Sequence, residues 1–507
     1  MNAASPTLLQ ALSPSDTEDV AASRATLAEI DRSCRGPLLF LFAGGLAWLL
    51  IGSVFAIIAS FKMHWPDFLG EYGWLTFGRV RPVHLNAMIF GFSTETAIGV
   101  TIWLMCRLCR TPLLHGWLIM VAGVFWNVGV AIGLVGILAG HSNGIEWLEI
   151  PSYVTPILFV TYALIALWGV ITFRFRQEKH LYVSQWYLLA ALIWFPWIYS
   201  AAQIMLVMEP VRGTVQAAVN WWFAHNVLGL WFTPIGLAAI YYFIPKVVGK
   251  PVYNYSLSLV GFWSLALFYN WNGMHHLVGG PMPAWLITVS IVASGMMTIP
   301  VITVGLNHHL TMWGNFKKLK DSPVLRFMVF GGMSYTLTSL HGVALAFRSV
   351  SEVTHFTHST IAHAHQGMYA FFTMVMFGSM YYILPRLLAV EWPSARLIRL
   401  HFWSCALGIT LYVFPMIYGG TLQGMAMNNP DIPFLDPSKY SVVTMTLPYL
   451  KIRSVSGILL VVGHTAFGIS FLWLVLRWLQ AARLARPRVA QPQSVFPRLQ
   501  SAIRNSP

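Results

Sequence analysis

The chain has 507 residues, of which 57% are hydrophobic and only 9% charged, and its formal net charge is +14. This composition excludes an ordinary soluble globular domain and fits a polytopic membrane protein. The positive charge does not point to nucleic acid, because the basic residues sit in short loops between apolar runs.

Residues 1–36 are polar and lack the basic start and apolar centre of a signal peptide. They read as a cytoplasmic N-terminal extension, partly disordered. Residues 37–480 hold twelve apolar runs, each long enough to span a bilayer. The runs start near Pro37, His84, Gly116, Tyr153, Ser184, Ala217, Asn254, Pro283, Val324, Ile361, Leu397 and Ser456. Residues 481–507 form a basic cytoplasmic tail. The fold class is an all-α membrane protein with about twelve transmembrane helices. Four cysteines supply no disulfide framework, and "CRLC" (Cys106 and Cys109) is followed by Arg110 where covalent haem attachment needs histidine.

Lysine and arginine set the orientation. Arg107 and Arg110, Arg174 and Arg176 with Lys179, Lys246 and Lys250, Lys317, Lys318 and Lys320, and Arg386, Arg396 and Arg399 fall in alternate loops on one side. The tail adds Arg483, Arg486, Arg488, Arg498 and Arg504. That side is predicted to be cytoplasmic, with both termini on it. The opposite loops are poor in positive charge, with Arg79, Arg81 and Lys439 as exceptions, and "GHSNGIEWLEIPS" has none.

On this map six histidines fall at one external depth. His84 opens run two, and His225 lies about 12 Å into run six. His275 and His276 come near the external end of run seven, and His363 and His365 open run ten. One buried histidine is ordinarily a hydrogen-bonded core residue. Six at one depth point to function, because polar groups are costly in hydrocarbon. Imidazole binds copper, zinc and iron, haem iron included. His363 and His365 are two positions apart, hence about 200° apart on a helix, and so face two different flat cofactors. His275 and His276, about 100° apart, approach one small ion if their helix is locally irregular, and His225 can complete a three-imidazole site. His308 and His309 read as residues of a basic cytoplasmic loop, and His64, His141, His355 and His358 as residues of external loops or helix ends.

The motifs "FGRVRPVHLNAMIF", "WFAHNVLGLWFT", "YYFIPKVVGKPVYNYSLSLVGFW", "FYNWNGMHH", "AHAHQG" and "HFWSCALGITLY" together resemble the catalytic subunit of haem–copper oxidases, the cbb3 type in particular. The resemblance runs from about Pro37 to Leu479 and implies the haem–copper oxidase subunit I fold. It implies that His84 and His365 are the axial ligands of a low-spin haem b, that His363 is the proximal ligand of a high-spin haem b3, and that His225, His275 and His276 hold the copper ion CuB. Tyr269 is implied as the redox tyrosine of O–O cleavage, covalently joined to His225. It lies seven residues before His276, within about 20° on a helical wheel. Arg81, favoured over Arg79, is implied to bind haem propionates by charge-assisted hydrogen bonds. Glu146 and Glu149 lie where the family has a calcium site. Thr233, Tyr241 and Ser258 match the family's single proton-uptake route.

The resemblance further implies a terminal respiratory oxidase in a bacterial inner membrane. It reduces O2 to water with electrons from cytochrome c and translocates protons. The chain has no c-type haem motif, so electrons are expected to enter through partner subunits carrying such haems, and apolar faces meet lipid and those partners. Three departures stand out: "GMHH" replaces the usual "GPHH", His341 in "SLHGV" stands where many relatives have glutamate, and "THFTHSTIAHAH" leans toward nitric oxide reductases. Those enzymes add a carboxylate to three histidines to hold a non-haem iron, a harder ligand set. The matching position here, one turn after His225, is Gly229. A cofactor-free twelve-helix transporter would instead show broken helices at the midplane and internal symmetry.

Overall fold

The structure is a computed structural model that describes residues 14–436 and 440–484, with side chains from residue 25. Residues 1–13 of the N-terminal extension, Lys439, and Arg486, Arg488, Arg498 and Arg504 of the tail lie outside the described residues.

Twelve long helices account for the apolar runs. They are α1 (Pro14–Lys62), α2 (Phe77–Cys109), α3 (Gly116–Ala139), α4 (Thr155–Arg174), α5 (Val183–Met208) and α6 (Thr214–Val248), followed by α7 (Tyr255–Tyr269), α8 (Ala284–Met312), α9 (Pro323–Ala346), α10 (His358–Leu388), α11 (Ala395–Met427) and α12 (Val442–Leu484). Among the described residues, ten are long and apolar enough to cross a membrane by length and composition alone. The other two runs miss that mark for physical reasons. α7 stops after 15 residues, and α9 carries Ser334, Tyr335, Thr336, Thr338, Ser339 and His341.

A helix satisfies its backbone hydrogen bonds internally, which is what a bilayer demands. The ends are set by ordinary signals. Asn254, Ser322 and Ser394 accept from the backbone N–H of Leu257, Leu325 and Leu397 at 3.1, 3.2 and 3.3 Å, capping α7, α9 and α11. Gly140 and Gly249, at φ 96° and 77°, end α3 and α6 in the left-handed conformation that glycine adopts without strain. Large aromatics fill the centre: Trp103, Trp126, Trp168 and Trp231 are fully buried, and Phe195 stacks on Trp231 at 3.7 Å. Trp117, Val135, Trp285, Phe414 and Leu472 are exposed on the outside of the bundle, as lipid-facing positions are.

The N-terminal region differs from expectation. α1 begins at Pro14, well upstream of Pro37, and passes through that proline without ending. Asp31 forms an ion pair with Arg107 and accepts from Trp103 Nε1 at 3.0 Å, tying this stretch to α2. From residue 14 the expected extension is therefore helical and continuous with the first span. His308 and His309 also differ: α8 runs on to Met312, so both lie on a helix, and His308 is buried.

Among the described residues four helices contain a π-helical segment, three of them just after candidate histidines. Ala87–Ser93 follows His84, Val227–Phe232 follows His225, and Gln366–Thr373 follows His363 and His365. Such widened turns recur at functional sites.

Candidate haem and metal sites

Three imidazoles converge from two separate segments. His225 comes from α6. His275 and His276 do not lie on α7, as the sequence suggested, because α7 ends at Tyr269. The chain turns at Gly273 (φ 114°) into a short 3-10 turn, Met274–Leu277, that presents both histidines. Only glycine suits that corner: the conformation disfavours side chains, and a Cβ there would lie 2.5 Å from the Trp221 carbonyl oxygen. The helical-wheel relation between Tyr269 and His276 therefore does not hold, and the fold brings the two to the site along different paths. One ligand nitrogen from each of His225, His275 and His276 lies within 4.8 Å of the others.

The surroundings orient these rings. The Ser290 and Ser294 hydroxyls of α8 both lie 3.1 Å from His275 Nδ1, and Ser290 accepts the His275 backbone N–H at 3.0 Å. Trp221 stacks on His276 at 4.4 Å and 15°. The buried Nδ1 of His225 has no hydrogen-bond partner. An orphaned imidazole nitrogen in a three-imidazole cluster without carboxylate or thiolate fits an ion such as copper, zinc or iron. The Tyr269 ring lies 4.9 Å from the His225 ring.

The remaining candidates face two cavities. One, of about 120 Å³, is lined by His225, Tyr269, His275 and His276 and by His363, Thr338 and Gly342. The other, of about 330 Å³, is lined by His84, His365, Arg81 and Arg453, and shares His225, Tyr269, His276 and His363 with the first. His363 faces both cavities, whereas His365 faces only the larger, as the two-residue offset on α10 requires. His84 Nδ1 lies 3.0 Å from the Gly52 carbonyl and His365 Nδ1 lies 2.9 Å from the Ile361 carbonyl. A carbonyl only accepts, so both rings carry their proton on Nδ1 and leave the Nε2 lone pair for iron. His363 sits closely against α9: a Cβ on Gly342 would approach its Cε1 to 3.0 Å, and His341 meets it edge-on with ring centres 5.2 Å apart. His341 Nδ1 lies 3.3 Å from Gln366 Oε1. Two imidazoles with free Nε2 atoms in a largely apolar cavity, rimmed by arginines, fit an iron porphyrin.

At the rim, Arg81 pairs with Glu146 at 2.7 Å, and Arg79 donates to the Leu138 carbonyl at 2.9 Å. Glu149 is buried in the loop before α4 and accepts from Asn86 at 3.1 Å, while its other oxygen has no partner. Burial pushes its carboxyl up to about 7, with nearby Glu146 adding to the effect. Thr233 lines the smaller cavity. Tyr241 and Ser258 are joined by Asn307, whose amide donates to both, at 3.3 and 3.1 Å.

Sequence reasoning passed over Arg453, Ser290, Ser294, Asn307, Tyr335 and His464. Arg453 carried a usable signal, being an arginine beside an apolar run on the side otherwise poor in positive charge. His464 of α12 bridges the Ser53 hydroxyl (2.8 Å) and the Tyr369 hydroxyl (2.7 Å) at the edge of the larger cavity.

The profile of the family "Cytochrome C and Quinol oxidase polypeptide I" matches residues 37–459. The chain belongs to the cytochrome c and quinol oxidase polypeptide I family. All six candidate histidines and Tyr269 fall inside the matched region of this oxidase polypeptide. A "Cytochrome c oxidase subunit 1 homolog" of Azorhizobium caulinodans is 33% identical over 84% of this chain and 79% of its own length. A "Cbb3-type cytochrome c oxidase subunit CcoN1" of Stutzerimonas stutzeri is 29% identical over 75% of this chain and 82% of its own. A solved heme-copper terminal oxidase dimer superposes with a TM-score of 0.67 at 17% identity, covering 89% of this chain and 84% of that one, and so shares the fold. The chain is thus the subunit I type of a family of membrane oxidoreductases.

Proposed function

We propose that this oxidase polypeptide is the catalytic subunit of a cbb3-type terminal oxidase. It reduces O2 to water with electrons from cytochrome c and couples the reaction to proton translocation. In this reading His84 and His365 hold a low-spin haem b, His363 a high-spin haem b3, and His225, His275 and His276 a copper ion. These groups, when bound, supply electron storage and O2 binding. The chain's own residues orient and insulate them. Arg81, with Arg453 beside it on the same cavity, neutralises haem propionates, and the Glu146–Glu149 loop offers carboxylates to a calcium ion. Tyr269 holds a proton next to the three imidazoles. Tyr241 and Ser258, linked through Asn307, and Thr233 on the smaller cavity bring protons from the basic end, which is cytoplasmic in this reading together with both termini. Electrons enter through partner subunits carrying c-type haems, in a bacterial inner membrane.

The observation that carries O2 over nitric oxide is the packing of Tyr269 against Gly229. A Cβ added to Gly229 would run into the Tyr269 ring. The position that would supply a carboxylate to a non-haem iron is therefore filled by a phenol. The test is metal analysis and a reduced-minus-oxidised spectrum of the purified complex, followed by O2 and NO turnover. Two b-type haems, one copper and O2 turnover are expected. Iron in place of copper, with NO turnover exceeding O2 turnover, would overturn the assignment.

A further inference from the structure

One buried imidazole lies beside the proposed proton route and has no part in it so far. His308 of α8 is buried, and neither of its ring nitrogens has a hydrogen-bond partner. Its ring meets that of Tyr241 at 4.6 Å and 67°. Its neighbour Asn307 is the residue that donates to both Tyr241 and Ser258. On α5, Tyr187 stacks on Tyr241 at 5.9 Å and 18°, and its buried hydroxyl also lacks a partner. Tyr335 of α9 lies near both Tyr241 and Tyr269 and lines the smaller cavity.

Four buried polar atoms around one tyrosine thus have no protein partner: both nitrogens of His308 and the hydroxyls of Tyr187 and Tyr335. Leaving such atoms unsatisfied in a membrane interior is costly, and proteins satisfy them with ordered water. A phenylalanine would fill the same space without that need. An imidazole differs from every other neutral side chain in having one nitrogen that accepts a proton and another that releases one.

We propose that His308 is a proton-relaying residue. Water held between His308 and Tyr187 joins the Ser258–Asn307–Tyr241 cluster to Tyr335 and the cavity of Tyr269. A proton arriving from water is taken at one ring nitrogen, and the proton on the other nitrogen leaves toward the cavity. The ring returns to its starting form by exchanging protons with the same water, so nothing is oxidised or reduced. The inference deepens the oxidase reading and rests on it.

The test uses the whole oxidase complex carrying His308→Phe or His308→Gln. Phenylalanine preserves bulk; glutamine preserves hydrogen bonding but relays no proton by this route. In both variants, haem and copper content and the rate at which cytochrome c reduces the low-spin haem should match wild type. O2 turnover should fall by at least about tenfold, with a larger solvent deuterium isotope effect and slower proton uptake after mixing with O2. If wild type turns over O2 and a metal-loaded His308→Gln complex keeps the wild-type rate and isotope effect, this inference falls while the oxidase reading stands. A wild-type complex loaded with haem but inactive toward O2 would overturn the oxidase reading and this inference together.

Discussion

The Tyr269 ring lies 4.9 Å from the His225 ring and occupies the space that any side chain on Gly229 would need. Residues from α6 and α7 therefore exclude one another at this point, and the exclusion can be manipulated. Gly229→Ala should destabilise the protein by about 1–3 kcal/mol through overpacking and displace the phenol. Tyr269→Phe should keep fold, haem and copper while lowering O2 turnover at least about 100-fold. Unchanged turnover in that variant would remove Tyr269 from the chemistry.

Ser290 and Ser294 hold His275 through its Nδ1. Partners of this kind fix the ring and its tautomer, and losing them costs roughly 10–100-fold in metal affinity. The double replacement by alanine should therefore release copper at chelator concentrations that wild type resists, with both haems retained. Elemental analysis after graded chelation reads this directly, and a wild-type copper content throughout would contradict it.

His363 faces both cavities, but His84 and His365 belong to the larger. His363→Ala should remove one haem, the high-spin signal and O2 turnover, yet leave a six-coordinate haem b spectrum. His84→Ala should do the converse to the low-spin signal. Loss of the same haem in both variants would mean that His363 and the His84–His365 pair do not hold separate haems.

Glu149 provides a pH signature outside the membrane. Burial raises its folded pKa from 4.5 to about 7. The folded protein then holds an extra proton between those values, so stability should fall as pH rises from about 4.5 to 7 and level off above. The effect is on the order of 3 kcal/mol. Thermal unfolding of the detergent-solubilised complex, with calcium chelated, should show this decline in wild type and a flatter profile in Glu149→Gln. Superimposable profiles would refute it.

The helices and the triad were legible in the sequence because they rest on strong signals: runs of apolar residues, and histidines where hydrocarbon makes them expensive. His225, His275 and His276 meet as their chemistry suggested, although the route by which they meet did not follow from helical periodicity. Extrapolating α7 past Tyr269 failed because Gly273 closes a tight corner against Trp221, a tertiary contact invisible in a window of residues. His308 was misplaced for the opposite reason. The lysines at 317, 318 and 320 drew the loop boundary too early, while α8 continues to Met312. Asn307, Ser290 and Ser294 carry no sequence signal of their own, since a polar residue on a membrane helix acquires meaning only from what packs against it.

The π-helical turns after His84, His225 and His365 make the aim of those side chains a matter of residue count. Each such turn accommodates one residue more than an α-helix of similar rise. Removing a single residue from Ala87–Ser93, Val227–Phe232 or Gln366–Thr373 would restore regular winding and swing the histidine end by about 100° against the lower half of its helix. A one-codon deletion in any of these segments would leave every imidazole in the chain and still dismantle the sites, because the imidazole would face the wrong neighbour.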